Sequence, residues 1–188
     1  MTNKERFLEL CSQIKRDGMD KLIEWLEHSD FFQAPASSKF HGSYTGGLVE
    51  HSLNVYDEMQ RLVTAYPEIN VAPESVIVIA LFHDICKTNF YATEKRNRKD
   101  EFGRWESYDA FVINEKLHYG GHGSKSVFIL QNYIKLTLEE AVAINCHMGV
   151  WDGNKDVAAA YEQFPIAWLA HVADESATYI KEGKLKNG

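Results

Sequence analysis

Apolar positions recur along most of this chain at the three-to-four-residue spacing of helices that bury one face. Phe7, Leu8, Leu10, Cys11 and Ile14 place a helix over residues 4–16, and Gly18 ends it. Leu22, Ile23, Trp25 and Leu26 mark a second from about Met19 to His28, followed by a loop over 29–38 that contains Pro35. Leu48, Val49, Leu53, Val55, Met59 and Leu62 line one side of a helix over 47–65. Pro73 and Glu74 suit the first turn of the next, proline for its fixed φ and glutamate for the positive end of the dipole. That helix carries Val76-Ile77-Val78-Ile79-Ala80-Leu81-Phe82, apolar on every side and therefore buried on every side. Helices follow over 124–133 and over 138–148, the latter opened by a capping box of Thr137 and Glu140. A short helix precedes Pro165, and a last one runs over about 166–181.

One stretch breaks this period. Phe90-Tyr91-Ala92-Thr93 and Trp105-Glu106-Ser107-Tyr108 flank a polar turn, Asn97 to Gly103, which predicts a β-hairpin. Inserted between two helices, it would lie over the cleft with its aromatics and a basic run at the tip. Glycine-rich loops at 42–47 and 120–123 mark places where the backbone needs unusual dihedrals or a close approach. The fold expected is an all-α bundle with an inserted β-hairpin (about residues 88–114). A single domain is expected over 1–188, with residues 1–38 as an N-terminal helical extension of a core over 40–181.

Composition changes this picture little. The 188 residues are 45% hydrophobic and 25% charged, as expected for a soluble globular domain. The longest apolar run falls far short of a membrane span, and the chain opens directly into an amphipathic helix with no signal-peptide core. A cytoplasmic protein with no membrane partner is therefore expected. Three cysteines, Cys11, Cys86 and Cys146, form no CxxC pair and read as buried free thiols. The net charge of −7 argues against a nucleic-acid coat, although a locally basic cleft remains compatible with it. Lys95-Arg96-Asn97-Arg98-Lys99 is the dense basic run, of a kind that is usually solvated.

The candidate chemistry begins at His83-Asp84, which follows the buried run. Burying an ionised carboxylate is costly unless it is paired or holds a cation; the plain alternative is a helix cap beside a core histidine. His51 lies on the apolar face of its helix between Leu48 and Val55, His147 follows Ile144, and Asp174 sits among Leu169, Ala170, Val172, Ala173 and Ala177. His122 stands in the second glycine loop. Imidazoles with carboxylates and no cysteine suit Mn²⁺, Fe²⁺, Co²⁺, Ni²⁺ or Zn²⁺ more than Ca²⁺, and two such ions about 3.5–4 Å apart suit in-line displacement at phosphorus. Lys87 is either a phosphate-binding cation or a lysine favoured by the dipole at a helix C-terminus. His41 is a substrate contact or a loop stabiliser, and His171 either orients Asp174 or simply packs. His28 and His118 read as surface residues, and Glu50 as an acceptor beside His51 or an ordinary surface acid. Phe90, Tyr91, Trp105 and Tyr108 read as hairpin packing rather than a base-stacking platform.

The ordered set His51 in Gly46-Gly47-Leu48-Val49-Glu50-His51-Ser52-Leu53, His83-Asp84 in Phe82-His83-Asp84-Ile85-Cys86-Lys87, and Asp174 in His171-Val172-Ala173-Asp174 resembles the HD-domain superfamily of metal-dependent phosphohydrolases. The resemblance covers about residues 40–181. It implies one ion held by His51, His83, Asp84 and Asp174 and a second held by Asp84, His122 and His147. Cys86 stands where many relatives carry glycine and reads as a packing thiol. Asp84 and Lys87 are the expected catalytic residues, and Lys87 and His41 the expected substrate contacts. The cofactor would be one or two divalent ions of Mn, Fe, Ni, Co, Zn or Mg. The substrate would be a small-molecule phosphoester, a nucleotide foremost, or a nucleic-acid end; a homo-oligomer is left open. Two rivals share these residues: an HD-type di-iron oxygenase, and a non-catalytic module that senses a nucleotide.

Overall fold

The computed structural model describes residues 1–114, 121–153 and 155–183, with the Asp152 side chain also left aside. Among these the protein is mostly helical with one two-stranded sheet. Its helices are α1 (Asn3–Cys11), α2 (Met19–His28), α3 (Gly47–Ala65), α4 (Pro73–Phe82), α5 (His122–Gln131), α6 (Leu138–Cys146), α7 (Val157–Gln163) and α8 (Pro165–Ser176). The strands β1 (Tyr91–Lys99) and β2 (Trp105–Ile113) come between α4 and α5. No helix among the described residues is long and apolar enough to cross a membrane.

The uniformly apolar α4 is the axis of the core. Val76 through Phe82 are all buried, and α4 packs against α1, α3 and α6, while α3 and α6 both pack against α8. A helix surrounded in this way delivers whatever follows it, here His83 and Asp84, into the interior. The N-terminal helices share that core. Phe7 meets Phe31, Phe32 and Phe82 at ring-centroid distances of 5.1, 5.6 and 5.7 Å. Arg16 clasps the fully buried Glu140 through two bonds of 2.6 Å each, and Glu140 also accepts from Ser75 at 2.7 Å. The expected capping box of Thr137 and Glu140 is present as well.

Several boundaries differ from the sequence expectation for local reasons. The first helix stops at Cys11 rather than residue 16, and the chain that leaves it carries Arg16 across to Glu74 and Glu140. The fifth starts two residues early, so His122 is its first residue instead of a loop residue. Gly123 explains the fit: a Cβ there would lie 2.3 Å from the Asn145 carbonyl oxygen, so only glycine lets α5 lie this close to α6. The last helix changes to a single π turn, Ala177–Lys181, in which the Glu182 N–H bonds to the Ala177 carbonyl.

The strands pair antiparallel from Tyr91↔Ile113 to Lys99↔Trp105. The turn between them is Asp100 to Arg104, with Gly103 at φ 78° and the Asp100 carboxylate accepting from the Phe102 and Arg104 amides. Asn97, Arg98 and Lys99 thus belong to the strand rather than to the tip. This register changes the meaning of the basic run, because Lys95 meets Asp109 at 2.8 Å and Arg98 meets Glu106 at 2.5 Å. Most of β1 is exposed, whereas Phe90 and Tyr91 at the base of the hairpin and Tyr108, Ala110, Phe111 and Val112 on β2 are buried or half-buried.

Candidate metal centre

Four helix ends and faces converge on one buried point. His51 is on the inward face of α3, His83 caps α4, Asp84 opens the 3₁₀ turn Ile85–Lys87, His147 caps α6, and Asp174 lies near the end of α8. All five are buried, His51, His83 and His147 to within 1%. Nε2 of His51 lies 3.3 Å from Nε2 of His83, 3.1 Å from Asp174 Oδ1 and 3.7 Å from Asp84 Oδ2. His83 Nε2 is 3.5 Å from Asp84 Oδ2, and His147 Nε2 is 3.6 Å from Asp84 Oδ1. The His83 and His147 rings stand 4.9 Å apart.

The outward side of each ring explains the inward aim. His83 Nδ1 donates to the Ala80 carbonyl at 2.9 Å, and His147 Nδ1 donates to the Ile144 carbonyl at 2.7 Å. Both rings are therefore held with Nε2 facing the centre, where each, once neutral, presents the lone pair that a metal ligand requires. His51 has a carboxylate instead. Its Nδ1 lies 3.1 and 3.2 Å from the two oxygens of Glu182, which also accepts from Asn54 at 2.8 Å. The sequence carries no signal for Glu182, because it lies beyond the periodic part of the last helix and reaches His51 through the π turn.

Electrostatics follow from this packing. Burial alone would lower the His51 pKa, but its bonds to Asp174 and Glu182 outweigh that and raise it to about 10. Burial would likewise raise the Asp84 carboxyl. The Lys87 ammonium, 2.5 Å away, together with His83 and His147, instead pulls it well below the ordinary range. Burial and the positive charges of His51 and Lys87 push His41 down to about 4. His41 lies against His51, with ring centroids 4.9 Å apart.

The residues fit a divalent cation. Around one ion with bonds of about 2.0–2.2 Å, tetrahedral ligand atoms stand about 3.3–3.6 Å apart, close to the spacings above. Asp84 Oδ1 and His147 Nε2 are also sealed from solvent with no hydrogen-bond partner, and buried polar atoms of that kind call for one. The ligand atoms fall into overlapping groups: His51, His83 and Asp174; His83, Asp84 and His147; Asp84, Cys86 and His122; and His41, His51 and Glu182.

These groups overlap the expected division at His51, His83 and Asp84. His147 joins Asp84 on the side of His83, and His122 joins Asp84 on the side of Cys86. Lys87 is buried against Asp84 rather than free. His171 does not orient Asp174; its Nδ1 donates to the His147 carbonyl at 2.7 Å, and its ring stacks on Tyr161. Among the aromatics, Phe90 is buried near His122 whereas Trp105 is 71% exposed. His118 lies outside the described residues.

Comparison with known proteins gives the family. Residues 48–181 match the HD domain. A dihydroneopterin 2',3'-cyclic phosphate phosphodiesterase from Methanocaldococcus jannaschii is 31% identical over 126 residues, which cover 58% of this chain and 48% of that protein. The chain thus spans about half the length of this relative. No solved structure gives a significant match.

Proposed function

The chain belongs to the HD-domain family, and from that premise we propose that it is a metal-dependent phosphohydrolase that cleaves a small phosphodiester, with a nucleotide or nucleotide-like group as the favoured substrate. The observation that carries this reading is the convergence of His51, His83, Asp84, His147 and Asp174 on one buried point where two ligand atoms have no partner. The similarity to a cyclic-phosphate phosphodiesterase supports a diester over a monoester. The pairing of Lys95 and Arg98 with carboxylates favours a small molecule over a nucleic-acid end, since the hairpin offers little unpaired positive charge.

In this reading His51, His83, Asp84 and Asp174 hold one cation, and Asp84, His122 and His147 serve a second. Bound there, a divalent cation lowers the pKa of water and offsets the charge of the phosphate. The protein's own contribution is orientation and charge. The carbonyls of Ala80 and Ile144 fix two imidazoles, and Glu182 fixes the third. Lys87 keeps Asp84 ionised. Its ammonium is the cation that would meet a phosphate oxygen beside Asp84. His41, neutral at physiological pH and with Nε2 unpaired, presents a ring nitrogen to a substrate oxygen without adding charge.

The test is turnover of 2',3'-cyclic nucleotides, bis(p-nitrophenyl) phosphate and p-nitrophenyl phosphate by chelator-treated protein before and after Mn²⁺ is restored. Mn²⁺-dependent cleavage of the diesters in preference to the monoester is expected. Oxygen consumption with an iron-loaded protein and no hydrolysis would transfer the site to the oxygenase reading.

A further inference from the structure

Cys86 stands in the 3₁₀ turn directly after Asp84, buried, with its backbone N–H donating to the Ser126 hydroxyl of α5 at 3.3 Å. The same helix begins with His122, and Gly123 seats that helix against α6. This docking leaves Cys86 Sγ 3.5 Å from His122 Nδ1. Together with Asp84 the two supply sulfur, nitrogen and oxygen ligand atoms within 4.8 Å of one another. Asp84 also carries the buried oxygen Oδ1, which has no hydrogen-bond partner.

The 3.5 Å separation is that of a thiol–imidazole hydrogen bond, and it is equally the spacing of two ligands of one ion. An ion bonded to thiolate at about 2.3 Å and to imidazole at about 2.0–2.1 Å in tetrahedral geometry holds the two atoms about 3.5 Å apart. We propose that Cys86, His122 and Asp84 form a thiolate-bearing cation position beside the imidazole centre, one that takes a thiophilic divalent ion such as Zn²⁺, Fe²⁺ or Co²⁺ in preference to Mg²⁺ or Mn²⁺. The inference rests on the reading of the centre as a metal site and adds to it a sulfur ligand and a selectivity. Soft thiolate prefers these ions, whereas carboxylate and water suit Mg²⁺ and Mn²⁺. In the metal-free protein the thiol is protonated, since burial pushes its pKa up to about 12. Binding therefore exchanges one S–H for one S–metal bond and releases that proton to the buffer, with no change of oxidation state.

Cobalt chloride titrated into metal-stripped protein separates this proposal from the reading beneath it. Visible d–d absorption reports Co²⁺ bound by any of the ligands, and a near-ultraviolet sulfur-to-cobalt charge-transfer band reports a thiolate ligand. Both signals are expected in the wild type. In Cys86→Ser the charge-transfer band is lost and the d–d bands remain, while Cys146→Ser keeps both; Cys86→Gly, tested by the same spectrum, guards against a serine that fails to pack. Visible bands without a charge-transfer band in the wild type, or a band that survives in both Cys86 variants, overturn the sulfur ligand and leave the metal centre standing. No Co²⁺ absorption at all overturns both.

Discussion

Replacing Glu182 by glutamine keeps its shape and removes the charge that His51 Nδ1 faces at 3.1 and 3.2 Å. The consequence depends on pH. With its pKa at about 10, His51 carries a proton in the metal-free protein across the neutral range, and a cation must expel that proton to bind. The contribution of His51 alone then makes the wild-type apparent affinity rise about tenfold per pH unit between pH 7 and 9, or about 1.4 kcal/mol per unit. The variant has less proton to displace, because one of the two carboxylates that hold it is gone. It also weakens the anchor that orients the ring, an amide oxygen replacing a carboxylate, and changes to such outer partners cost about 10–100-fold in metal affinity. The two effects oppose each other at pH 7, and only the second persists at high pH. Calorimetric titration of Mn²⁺ into metal-free wild type and Glu182→Gln at pH 7 and pH 9 should therefore give a gap that widens with pH, with fewer protons released by the variant. A gap of equal size at both values, or none, would refute the role given to Glu182.

Two further outcomes follow from the same structure. Arg16→Ala leaves the buried Glu140 without its cationic partner, although Ser75 and the Thr137 amide still donate to it, and should lower the unfolding free energy by about 3–5 kcal/mol, read from urea denaturation. In the metal-free protein the raised His51 pKa contributes stability that is complete below about pH 6.5 and is lost as pH climbs toward about 10. The depressed His41 pKa contributes stability present above about pH 6.5 and lost as pH falls toward about 4. Thermal melts of chelator-treated protein should therefore be most resistant near pH 6.5, and a monotonic rise of the midpoint from pH 6.5 to 9 would contradict the His51 environment.

The helices were legible because each buries a periodic apolar face, and α4 most of all because it is apolar throughout. The same periodicity placed His51 and Asp174 on inward faces, and the buried run ahead of His83-Asp84 indicated where that pair emerges. What escaped depended on register and tertiary approach. The sequence of Lys95 to Lys99 reads as a basic patch until strand pairing sets Asp109 and Glu106 opposite it. Cys86 reads as a packing thiol until α5 brings His122 to its sulfur. Glu182 gives no periodic signal, since a π turn shifts the frame just before it. Arg16 falls where a longer first helix was expected, and only the end of α1 at Cys11 frees it to reach Glu140.

The central claim is that the buried convergence on Asp84 is a metal site that performs phosphodiester hydrolysis. Its most direct test is elemental analysis of purified wild type and Asp84→Asn alongside Mn²⁺-dependent turnover of a 2',3'-cyclic nucleotide, with circular dichroism to follow the helices. The account predicts bound metal and turnover in the wild type and the loss of both in Asp84→Asn with helical content unchanged. Turnover that survives in Asp84→Asn, or in wild type stripped of metal, would contradict it.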